Sequence, residues 1–268
     1  MDNVEEILDS LPPMNPSCQD LINELQSDDS TAQKIEQLLL KDPVIAARTL
    51  HLANSSFYGF SGEVSSLKQA YIILGKDTLS NLITSLYLLD QFSEEKLNHR
   101  VDGYDSIWMH SLFSGILLSS SSSRFGSDGF LISLFQYMGL LAIGMVKPTL
   151  LHDLKNKDIS IDSIEQSVSK DFGLDLTSLN VEILTYWKLP LRIIEGLESV
   201  QDLNSDLSRE LRVCKFIASA MGYRPLGFIH SRPIEKQDLE LIASTPLSLS
   251  ALIRKSCESF NEISQIIN

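Results

Sequence analysis

Cysteine is scarce in this sequence: Cys18, Cys214 and Cys257 are the whole complement, odd in number, far apart and without metal-ligand spacing. That pattern offers no disulfide framework and no thiolate zinc site; it suits reduced thiols packed in a core. Positive charge is scarce too. Twenty-two Lys and Arg stand against 35 Asp and Glu, a formal net charge of -13. No broad positive field is available to neutralise a phosphate backbone or lie on an anionic membrane, so neither nucleic acid nor membrane is expected as a partner. The best basic cluster, Arg209, Arg212, Lys215 and Arg224, has Asp206 and Glu210 as neighbours and reads as a solvated helix face. Long hydrophobic runs are missing as well. The most apolar stretch, around Phe130 to Val146, contains Ser133 and Gln136 and falls short of the ~20 residues that span a bilayer, so it reads as a buried core helix. Met1 to Glu6 are acidic and carry no apolar signal segment, and the expected location is the cytoplasm. There is no phosphate-cradling glycine pattern, no Cys-x-x-Cys and no Gly-x-Ser-x-Gly elbow.

What remains is apolar periodicity. Hydrophobic residues make up 43% of 268 positions, enough for one large core or a core with a smaller satellite bundle. They recur at three- and four-residue spacing, and alternating runs between turn residues are nearly absent, so the chain is predicted all-α, a multi-helix bundle. Asp42 can cap free amides and Pro43 occupies the first helical turn, which predicts a helix from about Pro43 to Ala53. Asn54, Ser55, Ser56 and Gly59 break it, a second helix begins near Ser65 or Ser66, and Gly75 stops that one. Further helices are predicted at about 77–92, 104–124, 130–146, 149–156, 161–172, 176–186, 191–200 and 204–222. Ser119 to Ser123 extend the periodic segment of Trp108, Leu112 and Ile116 and are read as small residues on a packed helix. The Pro-bearing segment Tyr223 to Pro233 is predicted to be a loop. The expected organisation is thus one domain, 1–222, followed by a loop and a helical tail, 223–268, packed on it.

Between Leu40 and Gly75 the sequence becomes specific. Lys41-Asp42-Pro43-Val44, then Asn54-Ser55-Ser56-Phe57-Tyr58-Gly59, then Ser66-Leu67-Lys68-Gln69-Ala70 and Leu74-Gly75 occur in order. Leu11-Pro12-Pro13 precedes them, Trp108-Met109-His110-Ser111 opens a central helix, and Trp187-Lys188-Leu189-Pro190 follows late. In shared order and spacing these pieces closely resemble the HDOD family, the HD-related output domain, over roughly 11–222. A plain structural reading also holds for each: Asp42 caps, Asn54 and Gly59 shape a turn, and Trp108 and Trp187 fill the core.

The resemblance implies a fold shared with HD-type phosphohydrolases, which hold a metal with a His, a His-Asp pair and a later Asp so that it activates water. His110 matches the first position. The Gly-Leu-Leu-His-Asp-Ile-Gly stretch falls on Met138-Gly139-Leu140-Leu141-Ala142-Ile143-Gly144, anchored by Ile143, Gly144 and the preceding Phe135, so Leu141 and Ala142 replace the His-Asp pair. The later Asp falls on or near Lys215, a cation. Leu150-Leu151-His152-Asp153 spells the lost dipeptide about three helical turns out of place and is read as an exposed polar pair. His51, His99 and His230 are read as structural or solvated, and His110 alone cannot supply the three or four ligands a catalytic metal needs. No catalytic residue, metal or other cofactor is expected.

The expectation is a non-catalytic bacterial signal-transduction module that acts through protein contacts, with helix-lined grooves as its working surface. No receiver, kinase, cyclase or DNA-binding domain has room beside it, so input or output is expected from a separate chain. Two rivals stand: a phosphohydrolase with an unconventional site of His110, His152 and Asp153, and a small-ligand sensor that reuses the vacant cleft between the helices of His110 and Leu141.

Overall fold

The structure is a computed structural model that describes residues 2–55, 58, 62–91, 104–121, 125–147, 168–170, 173, 175–222, 240 and 248–267. Every regular element among the described residues is a helix: α1 Asp2–Ser10, α2 Pro16–Gln26, α3 Ala32–Leu39, α4 Pro43–Ala53, α5 Leu67–Gln91 and α6 Tyr104–Ser121. Then follow α7 Gly126–Phe135, α8 Met138–Val146, α9 Leu176–Tyr186, α10 Leu191–Ser199, α11 Asp206–Ala220 and α12 Leu249–Ile267. The chain is all-α. The expected helices at 149–156 and most of 161–172, the loop Tyr223 to Pro233, Gly59, His99, His152, Asp153 and His230 lie outside the described residues.

The chain divides into two compact units, one of residues 1–12 and 98–254, the other of 13–97 and 255–268. Residues 13–97 lie between two stretches of the first unit, and 255–268 group with them, so neither cut coincides with 222/223.

In the unit of 13–97, capping is largely local and legible. Asn15, Thr31 and Asp42 cap α2, α3 and α4; the Asp42 carboxylate accepts from the Ile45 amide at 3.1 Å, and Pro43 opens the helix. Asn54 ends α4 and does more than turn the chain. Its amide donates to the carbonyls of Leu50 (2.8 Å) and Val64 (2.9 Å), and its Oδ1 accepts from the Val64 amide (2.8 Å). Asn54 thereby pairs with Val64 as a strand partner would. Ser66 accepts from the Gln69 amide at the start of α5. Gly75 has φ 77 and ψ 166 inside α5, so two helices meet at a kink there, in a conformation that only glycine adopts readily. Both α2 and α3 pack on α5, as does α4, around Leu21, Leu25, Ile35, Leu39 and Leu52.

The unit that contains 98–254 is built on the pair α6 and α7. Gly115 permits their approach, since a Cβ there would lie 3.0 Å from the Phe130 carbonyl. α11 packs on α6, α10 on α7, and α1 and α9 on α8. The expected single helix at 130–146 is two, α7 and α8, broken at Gln136 and Tyr137. The break is held from outside. Asn180 of α9, itself buried, donates to the Gln136 carbonyl and accepts from the Gly139 amide, both at 2.6 Å. The stretch Asp128–Val146 is long and apolar enough by composition to cross a membrane, but 89% of it is buried in protein and the corner interrupts it.

Candidate functional site

The four positions at which the HD pattern would place ligands all belong to the unit that contains residues 98–254. His110 projects from α6 and is fully buried; Leu141 and Ala142 sit on α8, 3% and 0% exposed; Lys215 is half-buried on α11. Two of the four are brought together, and a residue the sequence reading did not single out joins them. The ring of Tyr137, at the α7–α8 corner, lies 5.7 Å from the His110 ring, tilted by 52°. The Lys215 ammonium sits 5.1 Å from the centre of the same Tyr137 ring. Both distances fall in the attractive range, for an aromatic pair and for a cation over a π face. Leu141 and Ala142 lie on the helix whose chief neighbours are α1 and α9. Their apolar side chains carry no lone pair for a metal.

The residues present therefore do not fit a metal ion. One imidazole remains, two positions are hydrocarbon, the fourth is a cation, and the ring of a 2%-exposed tyrosine meets both the first and the fourth. Among the described residues no group of three His, Cys, Asp or Glu side chains is placed to hold a metal. His51 lies exposed on α4.

Around the corner runs a polar layer. Gln136 donates to the Ser133 hydroxyl, and Ser133 donates to the Ser111 carbonyl, each at 3.3 Å, which ties α7 to α6 one residue from His110. On α11, burial pushes the Cys214 thiol well up, Glu210 pushes it further, and a hydrogen bond with Ser121 pulls it part of the way back. Such a thiol stays protonated and inert. The basic cluster read from sequence is not a solvated face throughout: Arg212 and Lys215 are half-buried, and Arg224 lies outside the described residues.

The motif residues are placed as follows. Trp187, with the indole buried, donates to the Pro12 carbonyl at 3.1 Å, which joins the Trp-Lys-Leu-Pro and Leu-Pro-Pro segments. Lys188 turns left-handed at φ 55, and Pro190 starts α10. Trp108 and Gly144 are core. A groove of about 390 Å³ lies elsewhere, between α7, α10 and the start of α11, lined by Phe125, Asp128, Ile132, Arg192, Gly196 and Leu207 among others. An ion pair crosses it, Arg192 Nε to Asp128 Oδ1 at 3.4 Å. Neither His110 nor Leu141 borders it.

Comparison with known proteins agrees with this architecture. The HDOD domain profile matches residues 11–203. Among solved structures, a protein of Shewanella amazonensis SB2B provisionally named a phosphohydrolase has a TM-score of 0.71 at 20% identity, over 99% of this chain and 98% of that one. An HDOD domain protein with unknown function from Geobacter sulfurreducens gives 0.62 at 19%, over 98% and 94%. A protein of Marinobacter aquaeolei VT8 provisionally named a signal transduction protein gives 0.64 at 19%, over 99% of this chain and 60% of that one. No curated protein matches. At these identities the structures speak for the shared fold alone. With the profile covering most of its length, and with the helices that carry the motifs in place, the chain belongs to the HDOD domain family.

Proposed function

We propose that this protein is a non-catalytic regulatory module of bacterial signal transduction, located in the cytoplasm, that acts through contacts with a protein partner. One observation carries the reading. Of the four positions that the HD pattern assigns to metal ligands, two hold hydrocarbon side chains and one a lysine, and the remaining His110 packs against the ring of Tyr137, which the Lys215 ammonium also meets. A helical scaffold that keeps the fold without the ligands retains surfaces and grooves, the working parts of an adaptor. The signal-transduction name of the Marinobacter protein is in keeping with it. The phosphohydrolase name of the Shewanella protein would require ligands that Leu141, Ala142 and Lys215 do not supply.

The test is the metal content of protein purified without chelator, by elemental mass spectrometry, together with hydrolysis of a generic phosphodiester in added manganese. Substoichiometric metal and no turnover are expected. A bound transition metal, with turnover abolished by His110→Ala, would make the protein an enzyme instead.

A small-ligand role has one observation in its favour, the groove between α7 and α10, whose volume lies within the range of ligand sites. It is not the cleft between the helices of His110 and Leu141.

A further inference from the structure

We propose that Lys215 supplies, as a tethered ammonium, a cation that joins α11 to the α7–α8 corner and, through it, to α6, with the Tyr137 ring as its seat. The inference rests on the reading that no metal binds there. A metal centre draws helices together because several donors from different helices converge on one positive charge. Here two of the donor positions, Leu141 and Ala142, offer only hydrocarbon. What converges instead is a π face. Tyr137 presents its ring to the Lys215 ammonium at 5.1 Å, and the same ring packs against His110 at 5.7 Å. Three elements are thereby linked through one side chain: α11 through Lys215, α6 through His110, and the α7–α8 corner that carries Tyr137.

The corner is built to hold that ring. Asn180 fixes the carbonyl of the residue before Tyr137 and an amide two residues after it, each at 2.6 Å. Tyr137 itself is 2% exposed, so its contact with the ammonium is shielded from water on the ring side. Shielding strengthens the attraction between a cation and a ring quadrupole. A cation covalently attached to α11 neither exchanges nor depends on metal supply.

The experiment is thermal unfolding of the full chain, wild type and Lys215→Met, Lys215→Arg, Tyr137→Leu and the Lys215→Met/Tyr137→Leu pair, each in chelator and in added manganese or zinc. The wild-type midpoint should be the same in chelator and in metal. Lys215→Met, which keeps the aliphatic stem and loses the charge, should lower the midpoint by about 2–6 °C. Lys215→Arg should restore most of that, and in the Tyr137→Leu background Lys215→Met should have little further effect. If Tyr137→Leu does not fold, the Met and Arg variants still decide the matter. A Lys215→Met midpoint equal to wild type, with no response to metal, would overturn the tethered-cation proposal and leave the non-catalytic reading standing. A wild-type midpoint raised by manganese or zinc would overturn that reading and the proposal together.

Discussion

The indole of Trp187 donates its N–H to the carbonyl oxygen of Pro12 at 3.1 Å, across a sequence separation of 175 residues. Two short motifs that look unrelated along the chain are one structural joint. Trp187→Phe keeps much of the buried ring and removes the donor, leaving a partly buried carbonyl without it. The expected loss is about 1–3 kcal/mol by urea unfolding, from the hydrogen bond and the smaller ring together. A variant as stable as wild type would reduce the joint to packing.

Asn180 is expected to matter more. Asn180→Ala strands the Gln136 carbonyl and the Gly139 amide in the interior, at about 1–3 kcal/mol for each group. Loss of near-UV circular dichroism from Tyr137 should accompany the destabilisation, because the corner that holds the ring is released.

Gly75→Ala isolates a backbone effect. Nothing lies within 4 Å of a Cβ added at Gly75, so no clash is introduced. The cost comes from φ 77 and ψ 166 alone and should be about 1–3 kcal/mol in the midpoint of chemical unfolding. A neutral result would mean that α5 can straighten.

Alkaline stability should depend on Cys214. Its thiol is held protonated in the folded chain, while the unfolded thiol ionises near its ordinary value of 9.0. Above that pH the unfolded state has lost a proton that the folded state retains, so stability present below pH 9.0 falls as pH rises. The slope from this one site approaches about 1.4 kcal/mol per pH unit. Cys214→Ala should flatten the decline above pH 9.0 when chevron or melting data are compared across pH. In the native state the half-exposed Cys257 should react with a thiol reagent before Cys214 does.

Legibility followed the range of the interactions. The cap at Asp42, the proline after it, the serine before α5 and the bend at Gly75 act within a few residues, and the sequence pattern locates them closely. The role of Asn54 as a turn former was visible, but its pairing with Val64 ten residues away was not. The break at Gln136 and Tyr137 carries no local stop signal, because apolar periodicity continues on both sides of it; the group that stabilises the break, Asn180, is more than 40 residues distant. Likewise α1 was not foreseen, since only sparse residues such as Ile7 mark its buried face, and its partners α8 and α9 come far later in the chain. His110 and Lys215 were found by resemblance to a family pattern. Tyr137, whose ring meets both, lies outside that pattern and is seen only in the fold.

The interruption of the first unit by residues 13–97 also sets an order of events during synthesis. α1 leaves the ribosome before α2, yet its neighbours are α8 and α9, and its flanking Pro12 waits for Trp187. Meanwhile α2 to α5 find their main packing partners in one another and can assemble early, since near contacts close faster than distant ones, with 255–268 joining the same unit last. α1 is thus made early and docked late, and a nascent chain halted before residue 187 would leave it unfastened.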